Sequence, residues 1–341
     1  MPAAPIFIVG TERSGSNLLR LILNAHPEIT VPHPPHIMAF FAPLERFYGD
    51  LSRDANFGRL ADDVLRHIKS HIHPWPTPVD REALVRDAAP RDLFGLFAAV
   101  YEQHRAAAGK RRWGCKSTFM IHYTERIFAR YPEAQLLWLV RDPRDVALSS
   151  RDSVFNPYHP FYTARLWASQ QELGLRLAAR LGPANLLRVH YEALIADPAA
   201  TVAGVCDFLK IDFDPAMLRF FETEDARVSA TQARDWRNTA SPIISDNANK
   251  FRGRMPAGDL AAVEAAAGAT MLKLGYEPAA AAGAGGPPPG ALGRARFRAA
   301  NEALRLRAEY RSVREDRNQW LRWRRRCRIL LLTARLRLRL R

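Results

Sequence analysis

The strongest constraint on this chain lies near its start, in "PIFIVGTERSGSNLLRLILNAHP", Pro5 to Pro27. Apolar β-formers from Ile6 to Val9 meet a turn of Gly10, Ser14, Gly15 and Ser16, and apolar residues then recur at helical spacing from Leu18 to Leu23. Strand, tight loop and helix in that order put the amides of Arg13 to Asn17 at a helix mouth. Unpaired N–H donors and the helix dipole make such a mouth an anion cradle, and the Ser14 and Ser16 hydroxyls add donors. Gly10 and Gly15 fit the glycines of GxxxxGK[ST]. Ser16, however, stands where a nucleotide-hydrolysing loop has its lysine, and Asn17 where it has the magnesium-binding hydroxyl. The loop suits a phosphate and is poorly supplied for metal-assisted γ-phosphoryl transfer. A glycine-serine turn without a ligand is the plain alternative.

Two further apolar runs read as buried strands. Leu136 to Val140 ends in Arg141 and Asp142, and "NLLRVHYEAL" (185–194) precedes a helical "PAATVAGVCDFLKI". Alternating strands and helices predict the α/β class: a parallel β-sheet flanked by helices, entered by a P-loop-like strand-loop-helix, with ligands at the carboxyl ends of the strands. Residues 57–110 read as a helical insertion, from the spacing of Leu60, Val64 and Ile68 and of Leu93, Leu96, Phe97 and Val100. Pro74, Trp75 and Pro76 are its expected contribution to an acceptor wall. "VPHPPHIMAFFAP" is too broken by proline for regular structure and reads as loop.

A net charge of +15 suggests nucleic acid until it is located. Residues 291–341 carry 17 arginines against Glu302, Glu309, Glu315 and Asp316, so +13 of the total belongs to the last segment and a nucleic-acid partner is not favoured. "AAAAGAGGPPPGALG" has linker composition. The expected organisation is an α/β domain at 1–280, a Gly/Pro/Ala linker at 281–293 and an Arg-rich amphipathic helical tail at 294–341. Tyr310, Val313, Trp320, Trp323, Cys327 and Leu330 recur at helical spacing among the arginines. That helix is suited to an anionic membrane surface, or alternatively to a helical protein partner, since the three glutamates interrupt its basic face. With no apolar run of about 18 residues and no signal-like start, the expected location is cytoplasmic, peripheral on the membrane if the tail binds there. Cys115, Cys206 and Cys327 lack any pairing pattern, so neither a disulfide framework nor a metal knot is expected.

Four segments together resemble the sulfotransferase family that uses 3′-phosphoadenosine 5′-phosphosulfate (PAPS). "TERSGSN" matches the family's 5′-phosphosulfate loop, "WGCKST" its lysine segment, "RDPRDVALS" its 3′-phosphate segment and "HYEALIADP" its fourth, all in family order. The resemblance implies that Arg13, Ser14, Gly15, Ser16 and Asn17 hold the 5′ group and that Lys116 lies near the transferring sulfonate. It further implies that Arg141 and Ser149 bind the 3′-phosphate and that Tyr191 lies near the adenine. "NKFRGRM" resembles the family's final basic loop, in which Lys250 and Arg252 complete the 3′-phosphate site or form a solvated turn. No metal is required, because the leaving group is adenosine 3′,5′-bisphosphate (PAP), and cations and amides suffice where charge develops. The match departs at "HPPHIM", where Pro34 occupies the position of the family's basic glutamate. His33 and His36 remain as bases, His36 favoured because Ile37, Met38 and Phe40 signal ordered packing beside it. His122 is a weaker third, and Arg144 and Asp145 read as charged surface or helix-start residues. The implied activity is transfer of a sulfonate to a hydroxyl or amine of a small-molecule, lipid or carbohydrate acceptor. The alternatives are a small-molecule P-loop kinase and a degenerate, non-catalytic binding protein.

Overall fold

The computed structural model describes residues 3–151, 153, 157–278, 290–316 and 318–338. Strands β1 (Ile6–Gly10), β2 (Ile29–Thr30), β3 (Arg112–Lys116), β4 (Gln135–Val140) and β5 (Leu186–His190) pair in parallel in the order β2-β3-β1-β4-β5. Alternation along the strands divides the core. Phe7, Val9, Trp113, Leu136 and Trp138 face one layer, and Ile6, Ile8, Leu137, Leu139 and Val189 face the other. Both faces are covered, which is why the central strands β1 and β4 read as apolar runs rather than alternating.

The helices follow in chain order. After β1 comes α1 (Ser16–Asn24), and after β2 come α2 (Ile37–Phe41), α3 (Asp54–Lys69), α4 (Arg81–Asp87) and α5 (Leu93–Ala107). Next are α6 (Thr124–Arg130), α7 (Pro143–Ser150), α8 (Pro160–Leu181), α9 (Tyr191–Ala196) and α10 (Pro198–Leu209). The remainder are α11 (Glu224–Gln232), α12 (Phe251–Arg254), α13 (Ala257–Lys273), α14 (Ala291–Glu315) and α15 (Gln319–Leu338). Their starts are written in the sequence. Asp142 and Asp197 accept from Arg144 N and Ala200 N while Pro143 and Pro198 open α7 and α10, so each helix begins with a side-chain cap and a preset φ.

Several elements differ from the expectation. "RWGCK" is itself an interior strand, fully buried between β1 and β2. Within "VPHPPHIMAFFAP" only the first half is loop, because Ile37, Met38 and Phe41 find a buried apolar surface and close into α2. Arg144 and Asp145 do start a helix but are not surface residues. Arg144 is buried between Asp142 (2.7 Å) and Glu264 (3.0 Å) and also donates to Glu277 O, tying α7 to α13. Asp145 accepts the Phe251 amide at 2.9 Å and so anchors α12. Trp75 turns into the core against Tyr101 and His104, each at 5.3 Å, and lines a small separate cavity with Leu65 and Ile68. The insertion's wall of the main cleft is supplied instead by His71 and Ile72.

Residues 281–289 of the expected linker lie outside the described residues. The basic segment beyond forms two helices that return to the body of the molecule. Leu332 and Leu336 are buried in the core cluster, Arg335 pairs with Asp63 at 3.1 Å, Arg328 donates to Arg66 O and Asn318 donates to Gln232 O. Trp320, Leu330, Leu331 and Leu338 stay exposed on the opposite side. Among the described residues, no helix is long and apolar enough to cross a membrane.

Candidate active site

β1 is the central strand. The chain passes from it to β2 and β3 on one side and to β4 and β5 on the other, so a crevice opens at its carboxyl end. The loop 11–15 sits there. Gly10 (φ 147°) has no room for a Cβ beside Leu139 O, and a Cβ on Gly15 (φ 92°) would overlap the Tyr191 ring. Arg13 takes φ 69°, the left-handed region that the tight turn demands. α1 then starts without a side-chain cap, leaving its first turn open to a cavity of about 910 Å³.

Arg13 Nε donates to Ser149 Oγ at 3.1 Å, and its guanidinium lies 3.6 Å from Asp235. Arg141 donates to Arg13 O (3.0 Å) and Asn247 O (2.9 Å) and lies over the Tyr191 ring, its Cζ 4.2 Å from the centroid. Asn247 Nδ2 in turn donates to the Tyr191 hydroxyl at 2.6 Å. Loop, arginine and aromatic platform are therefore one assembly. Several of its buried donors, Ser14 Oγ, Asn17 Nδ2 and Arg141 Nε, have no partner among the described residues. An anion would satisfy such a set.

Lys116, at the end of β3, lines the same cavity and is buried. Burial pushes its amine down to about 8, with the Arg20 charge reinforcing the shift and Glu12 opposing it. Across from it stands His36, whose Nδ1 is 3.0 Å from Ser117 Oγ. Burial holds His36 well below its ordinary value, helped by the charges of Lys116 and Arg325. His33 is stacked on His73 (4.6 Å) and tilted against Trp236 (4.6 Å), and neither ring nitrogen has a partner. These histidines stack rather than converge. Among the described residues, no group of three or more His, Cys, Asp or Glu is placed to hold a metal ion.

Of the residues singled out from sequence, Arg13, Gly15, Ser16, Asn17, His33, His36, Lys116, Arg141, Ser149, Tyr191 and Lys250 line the cavity. Ser14 is buried just behind it. Arg252 is exposed and lies by the Phe251 ring at 5.4 Å, and it is Arg254, two residues on and about one turn beyond Lys250, that reaches the cavity with Lys250. His122 is also outside the lining. Sequence reading missed Asn247, Asp235, Trp236, Arg322 and Arg325, all of which line the cavity. Only the histidine and proline density around residue 33 hinted at a packed site there; nothing linked it to residues some 290 positions later.

A model of the sulfotransferase family matches residues 5–215. Protein-tyrosine sulfotransferase A of Caenorhabditis elegans is 24% identical over 293 residues, covering 80% of this chain and 67% of that protein. Nodulation protein NoeE of Sinorhizobium fredii is 26% identical over 298 residues, covering 80% of this chain and 65% of that one, so the chain spans about two thirds of the length of both relatives. Among solved structures, the sulfotransferase domain of the Synechococcus PCC 7002 olefin synthase superposes with a TM-score of 0.56 at 25% identity, over 79% of this chain and 94% of that one. The sulfotransferase domain from the curacin biosynthetic pathway gives a TM-score of 0.54 at 20% identity, over 81% and 99%.

Proposed function

This chain belongs to the sulfotransferase family, and we propose that it takes PAPS as donor and transfers a sulfonate to a hydroxyl acceptor. The observation that carries this reading is the meeting of Arg13, Lys116 and Arg141 on one cavity beside the uncapped start of α1. The unpartnered donors of Ser14, Asn17 and Arg141 fit a donor that presents two separated anionic groups. When bound, that donor supplies an activated sulfonate with PAP as the leaving group.

The loop amides, Ser14, Ser16 and Asn17 hold the 5′ end, and Arg13 and Lys116 stabilise the charge that builds there during transfer. Arg141, braced by Arg13 O and Asn247 O, serves the 3′-phosphate, with Lys250 and Arg254 at the rim. Ser149 is tied to Arg13, so it joins the two anion sites rather than serving one alone. Tyr191 presents its ring to the adenine. His36 has Nδ1 3.0 Å from Ser117 Oγ, and in the tautomer that donates Nδ1–H there it keeps a lone pair at Nε2 for the acceptor's proton. His33 has no comparable orienting bond. The resemblance to a protein-tyrosine sulfotransferase supports a phenolic hydroxyl among the acceptors.

The test is nucleotide-dependent stabilisation. PAP without magnesium, at about a hundred times its Kd, should stabilise the native state by about 2.7 kcal/mol. ATP with magnesium, lacking the 3′-phosphate, should do markedly less, and Arg141→Ala should abolish most of the difference. A larger response to ATP with magnesium would favour a kinase; binding of PAP without turnover on any acceptor would favour a non-catalytic binding protein. Separately, the exposed Trp320, Leu330, Leu331 and Leu338 among the arginines of α15 support peripheral binding to anionic lipid. Vesicle co-sedimentation that is lost at high salt is the expected outcome.

A further inference from the structure

At the end of the cavity away from the nucleotide loop, α15 contributes a charge that meets no carboxylate among the described residues. Arg325 lines the cavity beside Phe40, with its guanidinium carbon 4.8 Å from that ring's centroid. One nitrogen, Nη2, donates to Pro35 O at 2.9 Å and lies 2.7 Å from His67 Nε2. Its Nε is buried without a partner, and among the described residues Nη1 makes no hydrogen bond and no carboxylate pairs with the group. The neighbouring Arg322 differs, since it is held by Asp316 at 2.8 Å. A half-buried guanidinium whose Nε is shut away from water without a counter-ion is costly unless an anion completes it.

We propose that Arg325 is the acceptor-selecting residue of this cleft and that the acceptor carries a small anionic group, a carboxylate or a phosphate, which this guanidinium receives while the acceptor hydroxyl lies by His36. The inference rests on the sulfotransferase reading. Its chemistry is that of a forked donor meeting a planar or tetrahedral oxyanion. Burial, the only influence resolved on Arg325, pushes it down to about 10, so it is charged throughout the neutral range, whereas burial and the Arg325 charge keep His67 near 3 and thus neutral. His36 and His71 are likewise held neutral, with Arg325 contributing to both shifts. Arg325 is therefore the charge at this end that an acceptor anion can neutralise.

The test uses the full chain saturated with PAP, so that the nucleotide's own anion sites are filled. Binding of 4-hydroxyphenylacetate, 4-hydroxybenzylphosphonate and the neutral 4-hydroxyphenylacetamide is then compared by calorimetry. At least one of the two anions should bind roughly tenfold or more tightly than the amide, and which of them does so separates a carboxylate acceptor from a phosphate one. Arg325→Met should reduce the preferred anion to the level of the amide while leaving PAP affinity unchanged, and the exposed control Arg324→Met should change neither. Retained PAP binding shows that a variant is folded; if Arg325→Met is not, Arg325→Lys, which loses the fork but keeps the charge, should reduce the preference several-fold. Equal binding of anions and amide, undetectable binding of either anion, or a preference that survives Arg325→Met overturns the proposal. Failure of PAP itself to bind overturns the donor reading instead, and is seen before any acceptor is added.

Discussion

The two ends of the cleft are built in opposite ways. The nucleotide end is assembled from chain segments that directly follow sheet strands: the loop after β1, Arg141 after β4, Tyr191 after β5, and Lys116 at the end of β3. Each side chain there is positioned by backbone that the parallel sheet already fixes. The acceptor end draws on a proline-stiffened loop, a turn after α3, the segment around Trp236 and a helix that returns from the far part of the chain. Its groups are positioned by side-chain packing, His33 on His73 and Arg325 on Phe40. On the proposed reading, the donor's site is thus written in backbone and the acceptor's in tertiary contacts.

Substitutions should separate these two modes. The largest effect is expected at the acceptor end: His36→Ala should lower kcat about 10² to 10⁴-fold with donor affinity nearly intact, while His33→Ala, lacking an orienting partner, should do far less. Because His36 is held below its ordinary value, the basic form persists as pH falls, and wild-type turnover should stay level well below pH 6.5. Near-normal turnover in both variants would mean that neither ring is the base, and the reverse ranking would transfer the role to His33.

At the nucleotide end, Lys116→Met should lower turnover roughly 10² to 10³-fold yet raise the melting temperature of the ligand-free protein by a few degrees. The sign follows from burial, which pushes the amine down to about 8. Between that value and about 10 the unfolded chain binds the proton that the native state gives up, so stability rises with pH across that window. At pH 7 the charged amine costs about 3 kcal/mol, which methionine would recover, and the gain should shrink as pH approaches 10. Turnover of the wild type should fall above about pH 8 as Lys116 loses its charge.

The smallest effects belong to the rim. Lys250→Ala and Arg254→Ala should each weaken PAP about three- to tenfold, in line with roughly 1 kcal/mol for an exposed charged contact. Arg252→Ala, two residues from each but outside the cavity lining, should leave it unchanged. A loss at Arg252 equal to that at Arg254 would return that residue to the site.

The same contrast explains what could be read in advance. Gly10 and Gly15 are legible because only glycine tolerates those φ values and close approaches, and Arg141 because it follows an unmistakable buried strand. β3 was overlooked because Arg112, Gly114 and Lys116 interrupt its apolar run, and its burial depends on neighbours the local pattern does not show. Arg144 looked like surface since its partner Glu264 is 120 positions away. Arg252 and Arg254 are indistinguishable by composition, and only the turn of α12 separates them. Arg325 lies among 17 arginines of the last segment, and no local pattern marks it and Arg322 as the two that meet the main cavity.

The return of α15 to α3 and to the Pro35 loop carries a consequence for biosynthesis. A chain emerging from the ribosome exposes its nucleotide loop first, then the strands that frame it, and by the end of α12 every residue assigned to the donor has been made. Of the far side of the cleft, only the α15 side chains Arg322 and Arg325 are still missing at that moment. Leu332 and Leu336 must arrive before the core cluster they join is covered, and Arg325 before the cleft has its far side. On the proposed reading, the side chains for the donor are thus synthesised before Arg325, the one proposed to choose the acceptor.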